Sequence, residues 1–438
     1  MHKATVRRRL CQQACGLCLI ALVVLWSVQA GLAEPPQPSE QERHSDFGGP
    51  DAVPNRLGSD RATTDAPYEF EFLKPYYDWK ARIEEEFGFT FGLVYVPVFL
   101  KASNSLPGAD DYAAGGVFRL FGSWELLGRG TDTTGTLNYL VEHRDRYADT
   151  RPLAFSIGNL GNVGALEIPF DDDAWHLTNL YWEQSWEGGQ FVAVGGFLDI
   201  TDFVDVHALT SPWTDFANFA FSIGAATMDV PDDASLGMAA GAWITDTTYL
   251  IAGFEDMRSD PNDPFKGFET FVSDHEYFKH IEIGWAASQD AYYLDNWHLT
   301  LWHSDERDEE GVENGWGAVV SFSHTVGNHW LLFARAGYAE GGGSLLQTSV
   351  SAGAGYTPGG LQVLGSGSQL GFGFNWGRPN EAVFGSGLDD QYALEMYYRI
   401  QVTKELAITP SVQLLIHPAL NPQEDTTWVG GARMRFAF

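Results

Sequence analysis

Residues 428–438 read Trp428-Val429-Gly430-Gly431-Ala432-Arg433-Met434-Arg435-Phe436-Ala437-Phe438, and their alternation decides the fold. In an extended strand, successive side chains point to opposite faces. One face carries Trp428, Gly430, Ala432, Met434, Phe436 and Phe438; the other carries Val429, Gly431, Arg433, Arg435 and Ala437. An apolar face that ends on a terminal phenylalanine is the expected last strand of a barrel in lipid. The two arginines opposite need water, which at that depth only a lumen supplies. Phe436 and Phe438 are accordingly read as the signal that hands the strand to the barrel assembly machinery.

The same period of two recurs upstream. Phe87, Phe89, Phe91, Leu93, Tyr95 and Phe99 alternate with Gly88, Thr90, Gly92, Val94 and Val96. The alternation predicts strands over 88–100, 115–126, 134–146, 175–187, 190–199, 234–245, 248–256 and 279–287. It continues over 294–304, 315–325, 329–339, 347–355, 367–376, 391–402, 406–416 and 426–438. Sixteen is an even number, as closure with both ends on one side requires. Odd connections are long (147–174, 200–233, 257–278, 305–314, 377–390). Even ones are mostly tight, as at Gly188-Gly189, Asp246-Thr247, Val326 to Asn328 and Thr403 to Glu405. A soluble sandwich has no reason to alternate in this way. The expectation is an all-β fold: a transmembrane antiparallel β-barrel of sixteen strands, preceded by a short N-terminal periplasmic helix.

The N-terminus supports export. Lys3, Arg7, Arg8 and Arg9 precede a mostly apolar run from Leu10 to Val28, and small residues allow cleavage after Ala30 or Ala33. This pattern reads as a signal peptide over 1–33 rather than a retained anchor. Cys11, Cys15 and Cys18 all lie inside it, so a mature chain would hold no disulfide, cysteine–metal site or thiol nucleophile. Residues 34–66, with Pro35, Pro36, Pro38, Pro50 and Pro54, are expected to form a flexible periplasmic lead-in with little to bury. The third segment, 67–438, is assigned to the barrel with its short helix, which spans Tyr76 to Glu86 and stops at Gly88. No later stretch approaches the 18 apolar residues of a spanning helix.

The chain holds 26 basic and 58 acidic residues, a formal charge of −32. The signal would remove four basic residues and no acidic ones, leaving the rest more negative still. That excludes nucleic acid as a partner, because phosphate contacts need lysine and arginine.

Alternation also nominates the lumen. Glu395, Tyr397, Arg399 and Gln401 oppose Leu394, Met396, Tyr398 and Ile400. Thr409, Ser411 and Gln413 point inward on the next strand, Arg335 does so on 329–339, and Asn138, Glu142 and Arg144 do so on 134–146. The candidate pore-lining set is Glu142, Arg144, Arg335, Glu395, Tyr397, Arg399, Gln413, Arg433 and Arg435. Arginine and carboxylate groups suit neutral polyols, whose hydroxyls both donate and accept. The alternative is that these side chains pair with one another and brace the wall. Glu395 and Arg399 sit too far apart along the strand to pair directly, so each needs a partner elsewhere; Arg433 and Gln413 are the candidates.

Catalysis finds no support. His303-Ser304-Asp305 has suitable residue types, but strand neighbours face opposite ways and cannot assemble a triad. No Gly-x-Ser-x-Gly or His-Glu-x-x-His motif occurs. No cofactor is expected. The acidic runs Asp171-Asp172-Asp173 and Asp305 to Glu310 lack the spacing of an EF-hand. They read as solvated loops with room for divalent cations that bridge to lipopolysaccharide.

At this point the last third of the chain resembles the carbohydrate-selective outer-membrane porins of the OprB-like family. Three runs carry the resemblance: Gly371-Phe372-Gly373-Phe374-Asn375-Trp376-Gly377; Glu395-Met396-Tyr397-Tyr398-Arg399 with Leu406 to Gln413; and His417-Pro418, Asn421-Pro422, Gly431-Ala432-Arg433 and Phe438. Tyr181-Trp182-Glu183-Gln184, Gly195 to Asp199, Phe216-Ala217-Asn218-Phe219 and Trp79 to Phe87 are similar to earlier family segments. The family's Gly-Lys-x-Asp-like pattern stands here as Gly195-Gly196-Phe197-Leu198-Asp199, without its basic residue. The resemblance implies passive diffusion of small sugars or other small solutes into the periplasm, past arginine and glutamate side chains at a constriction. It implies the cell outer membrane as the location, with outer-membrane lipid and lipopolysaccharide as surroundings and a monomer or homotrimer as the assembly. A general or cation-leaning porin is the other reading left open by the acidity.

Overall fold

The structure, a computed structural model, describes residues 47–63, 66–168, 173–222, 224–231, 234–290, 292–361 and 367–438. The signal peptide over 1–33, its cysteines, the lead-in up to residue 46, Asp171 and Asp172 lie outside the described residues.

Sixteen antiparallel strands close into one barrel, each bonded to its sequence neighbour and the first to the last. They are β1 (Phe89–Ala102), β2 (Tyr112–Leu127), β3 (Thr134–Arg146), β4 (Trp175–Trp186), β5 (Phe191–Leu198), β6 (Ser235–Trp243), β7 (Thr248–Asp256) and β8 (Tyr277–Ala286). The ring continues through β9 (Asn296–Ser304), β10 (Gly315–Val326), β11 (Trp330–Gly341), β12 (Leu346–Tyr356), β13 (Gln369–Pro379), β14 (Gln391–Gln401), β15 (Leu406–Ile416) and β16 (Thr426–Ala437). Every expected strand is present within a few residues. The long–short alternation of connections holds with three exceptions, one of them 287–295, which matches the shorter long-side connections in length. The 342–345 connection is short on the long side, and 357–368 is long on the short side.

Closure runs from Val94 opposite Ala437 to Ala102 opposite Val429. Phe438 completes it: its N–H donates to Leu93 O (2.8 Å) and its carbonyl accepts from Leu93 N (2.9 Å). Pro97, which has no N–H to give, falls where the β1–β16 register skips from Tyr95 to Val98. The outward positions are large and apolar along the sheet, among them Leu301, Val320, Leu332, Phe372, Leu394, Met396 and Met434. Exposed Trp175, Trp316, Tyr338 and Trp428 lie toward the long connections. Trp124, Trp186, Trp285, Trp297 and Trp330 lie toward the short turns. Two aromatic girdles around an apolar band are what a bilayer selects.

Among the described residues, two α-helices precede β1. The second, here α2 (Lys74–Phe87), corresponds to the expected helix. It ends at Gly88, whose left-handed φ of 67° lets its N–H reach Glu84 O at 2.8 Å. Arg129 donates to the carbonyls of Glu84, Glu85 and Glu86 and satisfies the helix end from the β2–β3 turn. The helix lies on the outer rim at the short-turn end, with the Trp79 ring edge-on to lipid-facing Phe91 (5.7 Å). Tyr77 Oη donates to Glu405 Oε1 at 2.8 Å.

The first helix, α1 (Val53–Ala62), corrects the expectation of a lead-in with little to bury. Pro54 stands in its first turn, where a missing N–H costs nothing. Val53 and Leu57, one turn apart, pack with Val94, Val96, Val98 and Leu100 of β1 and with Val117 and Phe121 of β2. Phe155, Leu160, Leu166, Ile168 and Trp213 from two long connections join the same cluster. The inner wall is therefore polar over only part of its circumference. Beside β1 to β3 the small apolar face of the sheet supports an apolar core inside the barrel. Composition concealed this, because prolines and charges mask the few apolar residues that do the packing.

Candidate functional site

The described residues of two long connections, 147–174 and 199–234, turn inward rather than outward, and the polar side chains of the wall hold them there. Asp199 starts the second: its Oδ1 accepts from Thr201 N at 3.0 Å and opens a short helical turn, Ile200–Asp202. Asp205 adopts a left-handed φ of 54° and is fully buried. Its N–H donates to Glu282 Oε2 (2.7 Å), and its carboxylate accepts from Gly224 N (2.5 Å). The same carboxylate faces His298 Nε2 (2.8 Å) and is ion-paired to Arg335. Glu282 in turn accepts from Thr300 Oγ1 (2.6 Å) and Tyr249 Oη (3.0 Å).

Farther along, Ala217 N and Asn218 N both donate to Glu395, each at 2.9 Å. Arg399 donates to Thr214 O (3.0 Å) and pairs with Asp215 (3.2 Å). Tyr397 Oη reaches Gln369 Oε1 (2.5 Å) and Asp215 Oδ1 (3.3 Å). Arg433 pairs with Glu167 (3.1 Å) and donates to Asp215 O (2.7 Å) and Pro212 O. Gln413 Nε2 donates to Leu166 O (2.8 Å) while its Oε1 accepts from Asn218 Nδ2 (3.1 Å). Gln391 brackets Val163 from both sides, Oε1 accepting its N–H (2.9 Å) and Nε2 donating to its carbonyl (2.6 Å).

The nominated residues thus fall into three groups. Arg335, Glu395, Tyr397, Arg399, Gln413 and Arg433 converge on the inward loops, through backbone groups and loop carboxylates. Glu142 and Arg144 stay on the wall, where Glu142 accepts from Arg119 (2.7 Å) and Arg144 (3.0 Å). The Arg119 guanidinium stacks 3.9 Å from the Trp213 ring. Arg435 stands apart, at 2.8 Å from Asp60 of α1. Among the described residues, the Arg119–Glu142–Arg144 group braces the wall in the expected way, as does Tyr397 through Gln369 of the adjacent strand. Arg433 and Gln413 do not serve Glu395 and Arg399 across strands, because the loops supply closer partners.

Asp205, Asp215, Glu167, Glu282 and His298 are site residues that the sequence reading passed over. Glu282 and His298 were within reach, since Ile281 and Ile283, or Trp297 and Leu299, face outward around them. The loop carboxylates carried no such signal, for acidic loop residues ordinarily face solvent.

Burial shapes the loop charges. It would push the Asp205 carboxyl up, but Arg335, His298 and the Gly224 N–H outweigh it and hold the group below the usual range. Burial raises Asp215 and Glu167 in spite of Arg399 and Arg433. Asp202 is raised well above the usual range by burial and by neighbouring Asp199 and Asp51. His207, whose ring stacks on Phe333 at 4.7 Å, is lowered to about 3 by burial and by Arg335, so it stays neutral at ordinary pH.

The acidic run at 305–310 is less free than expected. Lys279 holds Asp305 (2.6 Å), Arg258 holds Glu309 (2.6 Å) and Arg307 pairs with both Glu310 (2.8 Å) and buried Asp229 (3.0 Å). Among the described residues, no three histidine, cysteine or carboxylate groups converge as metal ligands.

The comparisons agree with this architecture. The model of the carbohydrate-selective porin, OprB family, matches residues 125–309 and 286–438. The chain is similar to Pseudomonas putida OprB in its high-pH structure, with 15% identity, a TM-score of 0.65, and 83% of this chain and 97% of that one covered. The low-pH structure of the same protein matches at 15% identity and a TM-score of 0.50, covering 86% and 100%. No curated relative matches the chain. At such identities the solved structures speak for the fold, while the family match extends over most of the barrel from β2 to the end of β16, and on that basis the chain belongs to the OprB family of carbohydrate-selective porins.

Proposed function

We propose that the protein is a passive porin of the outer membrane whose preference for sugars is set where 147–174 and 199–234 fold into the lumen. The observation that carries this reading is the inward loop 199–234, pinned along its length by Arg335, Glu395, Arg399 and Arg433 of the wall. A constriction held by rigid charged anchors keeps its width without a gate, and alternating donors and acceptors suit a hydroxylated, uncharged solute. In this reading the nominated residues act on the solute path through the loops they hold, and no chemical step is involved. Export through a cleaved segment at 1–33 belongs to the same proposal. So do insertion by the assembly machinery through Phe436 and Phe438, and lipopolysaccharide bridged by divalent ions at acidic outer loops.

Planar-bilayer recordings of the purified barrel test it. Ion current should fall in a concentration-dependent way when mono- or disaccharides are added, and proteoliposomes should admit sugars faster than amino acids of similar size. A conducting barrel indifferent to every sugar would leave the second reading, a general cation-leaning porin. The acidity of the chain, 58 acidic against 26 basic residues, favours that reading. A reversal potential in a salt gradient that favours cations without sugar block would select it.

A further inference from the structure

Residues 47–63 do not run along the rim as α2 does; they cross the inside of the barrel at the short-turn end. Phe47 sits in a box of Trp243 (5.5 Å, stacked), Tyr249 (6.1 Å) and Tyr292 (6.2 Å), formed by β6, β7 and the β8–β9 connection. The wall is shaped for it: a Cβ on Gly241 of β6 would lie 2.7 Å from the Phe47 ring. Gly49 N then donates to Asp202 O at 2.7 Å, and Asn55 Nδ2 ties back to the carbonyls of Gly48 (2.7 Å) and Gly49 (3.0 Å).

Arg56 pairs with Asp51 and donates to Ser211 Oγ (2.9 Å), and Ser211 donates to Asp51 Oδ1 (2.8 Å). The segment is therefore latched to the constriction loop at two places, Asp202 and Ser211. Val53 and Leu57 then pack on the inner faces of β1 to β3, and Asp60 pairs with Arg435 of β16 before the chain leaves the lumen. Phe47 is 4% exposed, Ala52 0%, Val53 1% and Arg56 3%, values of a protein interior rather than of a tail.

We propose that residues 47–63 form a second constriction in series with the loop 199–234, a chord across the short-turn mouth that narrows the solute path and limits the size of solute released there. The proposal rests on the porin reading. A lumen cross-section sets both conductance and the largest solute admitted, so a chain segment laid across it restricts both. The anchors are divided between opposite kinds of interaction: an aromatic box at one end, an Arg–Asp–Ser latch in the middle and an ion pair at the other end.

Deleting 47–62 from the full chain is the direct test, read as single-channel conductance and sugar block in planar bilayers. Conductance of the deletion should rise roughly two-fold or more over the parent, with block by disaccharides weakened more than block by monosaccharides. Two variants that retain the chain guard against a deletion that fails to fold. Phe47→Ala empties the box, and Gly241→Leu fills it from the wall side without altering the segment. Both should show excursions to a higher conductance level while keeping the heat-modifiable gel mobility of a folded barrel.

A deletion that folds and conducts like a conducting parent overturns the inference and leaves the porin reading standing. So does loss of thermal stability in Phe47→Ala and Gly241→Leu with conductance unchanged, which would make the segment a brace. A barrel that never conducts, with the segment or without it, removes the porin reading and this inference with it.

Discussion

At Asp205 a buried carboxylate meets Arg335, His298 and a backbone N–H, and each is needed because an uncompensated charge in that position is costly. Arg335→Ala should lower stability by about 3–5 kcal/mol, the usual consequence of leaving one member of a buried pair alone. Arg335→Lys should recover only part of it, since one ammonium cannot reach both Asp205 and Ser222 O as the guanidinium fork does. Thermal melts of the purified barrels check both. Asp202 works in the opposite direction. Its carboxyl is raised in the folded protein, chiefly by burial, so the native state binds the proton more tightly than the unfolded one. Its contribution is fully present below the ordinary carboxylate value of about 4 and is lost as pH rises through the raised native value. Asp202→Asn should therefore melt at a higher temperature than the parent at neutral pH, and its melting should depend less on pH across that window. A parallel pH dependence in variant and parent would assign the effect to Asp199 or another group.

At the scale of elements, the glycines of the strand Gln369–Pro379 show how wall and loop are fitted together. A Cβ at Gly371 would lie 2.1 Å from the Tyr397 ring, and one at Gly373 would meet Phe221 and Phe216 of the inward loop at 2.8 and 3.0 Å. The run Gly371-Phe372-Gly373-Phe374 is thus a surface with phenylalanine for lipid on one face and space for aromatic rings on the other. Gly371→Val should displace Tyr397 from Gln369 and Asp215 and cost about 1–3 kcal/mol by overpacking, with noisier channel current as the loop loosens. A quiet channel with unchanged melting would show that the loop does not depend on this ring. The strands themselves were legible because alternation is a local property of a half-buried sheet. The destination of the long connections was not. Trp213, Phe216 and Phe221 are spaced irregularly, and a loop that buries carboxylates looks in sequence like one that solvates them. The same holds for Val53 and Leu57, which find a core only once the ring has closed around them. Where a loop does remain outside, at Asp308 to Gly311, the chain is exposed. Protease added to intact cells should cut there and spare Thr403 to Glu405; the reverse pattern would invert the orientation of the barrel.

For the molecule as a whole, stability in lipid depends on having no edge. An unpaired strand in hydrocarbon exposes backbone groups at several kcal/mol each, so the β1–β16 seam matters as much as any other ladder. That seam is irregular in the middle, where Pro97 removes a donor, and its short-turn end is fastened by the terminal residue. Phe438 exchanges both backbone bonds with Leu93, at 2.8 and 2.9 Å, while its ring continues the outward face of Phe436 and Met434. Deleting Phe438 removes two bonds beside the gap and leaves Leu93 with unmet donor and acceptor groups near the interface, where water can partly replace them. The finished barrel should therefore tolerate the loss, with melting lowered by about 1–3 kcal/mol equivalent for the unsatisfied pair. Assembly should suffer far more, because the ring cannot exclude lipid until its two most distant strands, β1 and β16, are joined. The expected result in cells is a large fall in heat-modifiable barrel in the outer membrane, while export continues and unfolded chain gathers in the periplasm. Phe438→Tyr keeps both backbone bonds and an aromatic ring, and should assemble nearly as well as the parent. Should the deletion reach parental levels in the membrane, closure at Leu93 is dispensable and the terminal phenylalanine has no part in assembly. Should Phe438→Tyr fail as badly as the deletion, the side chain itself is being recognised, and the seam bonds are not what limits assembly.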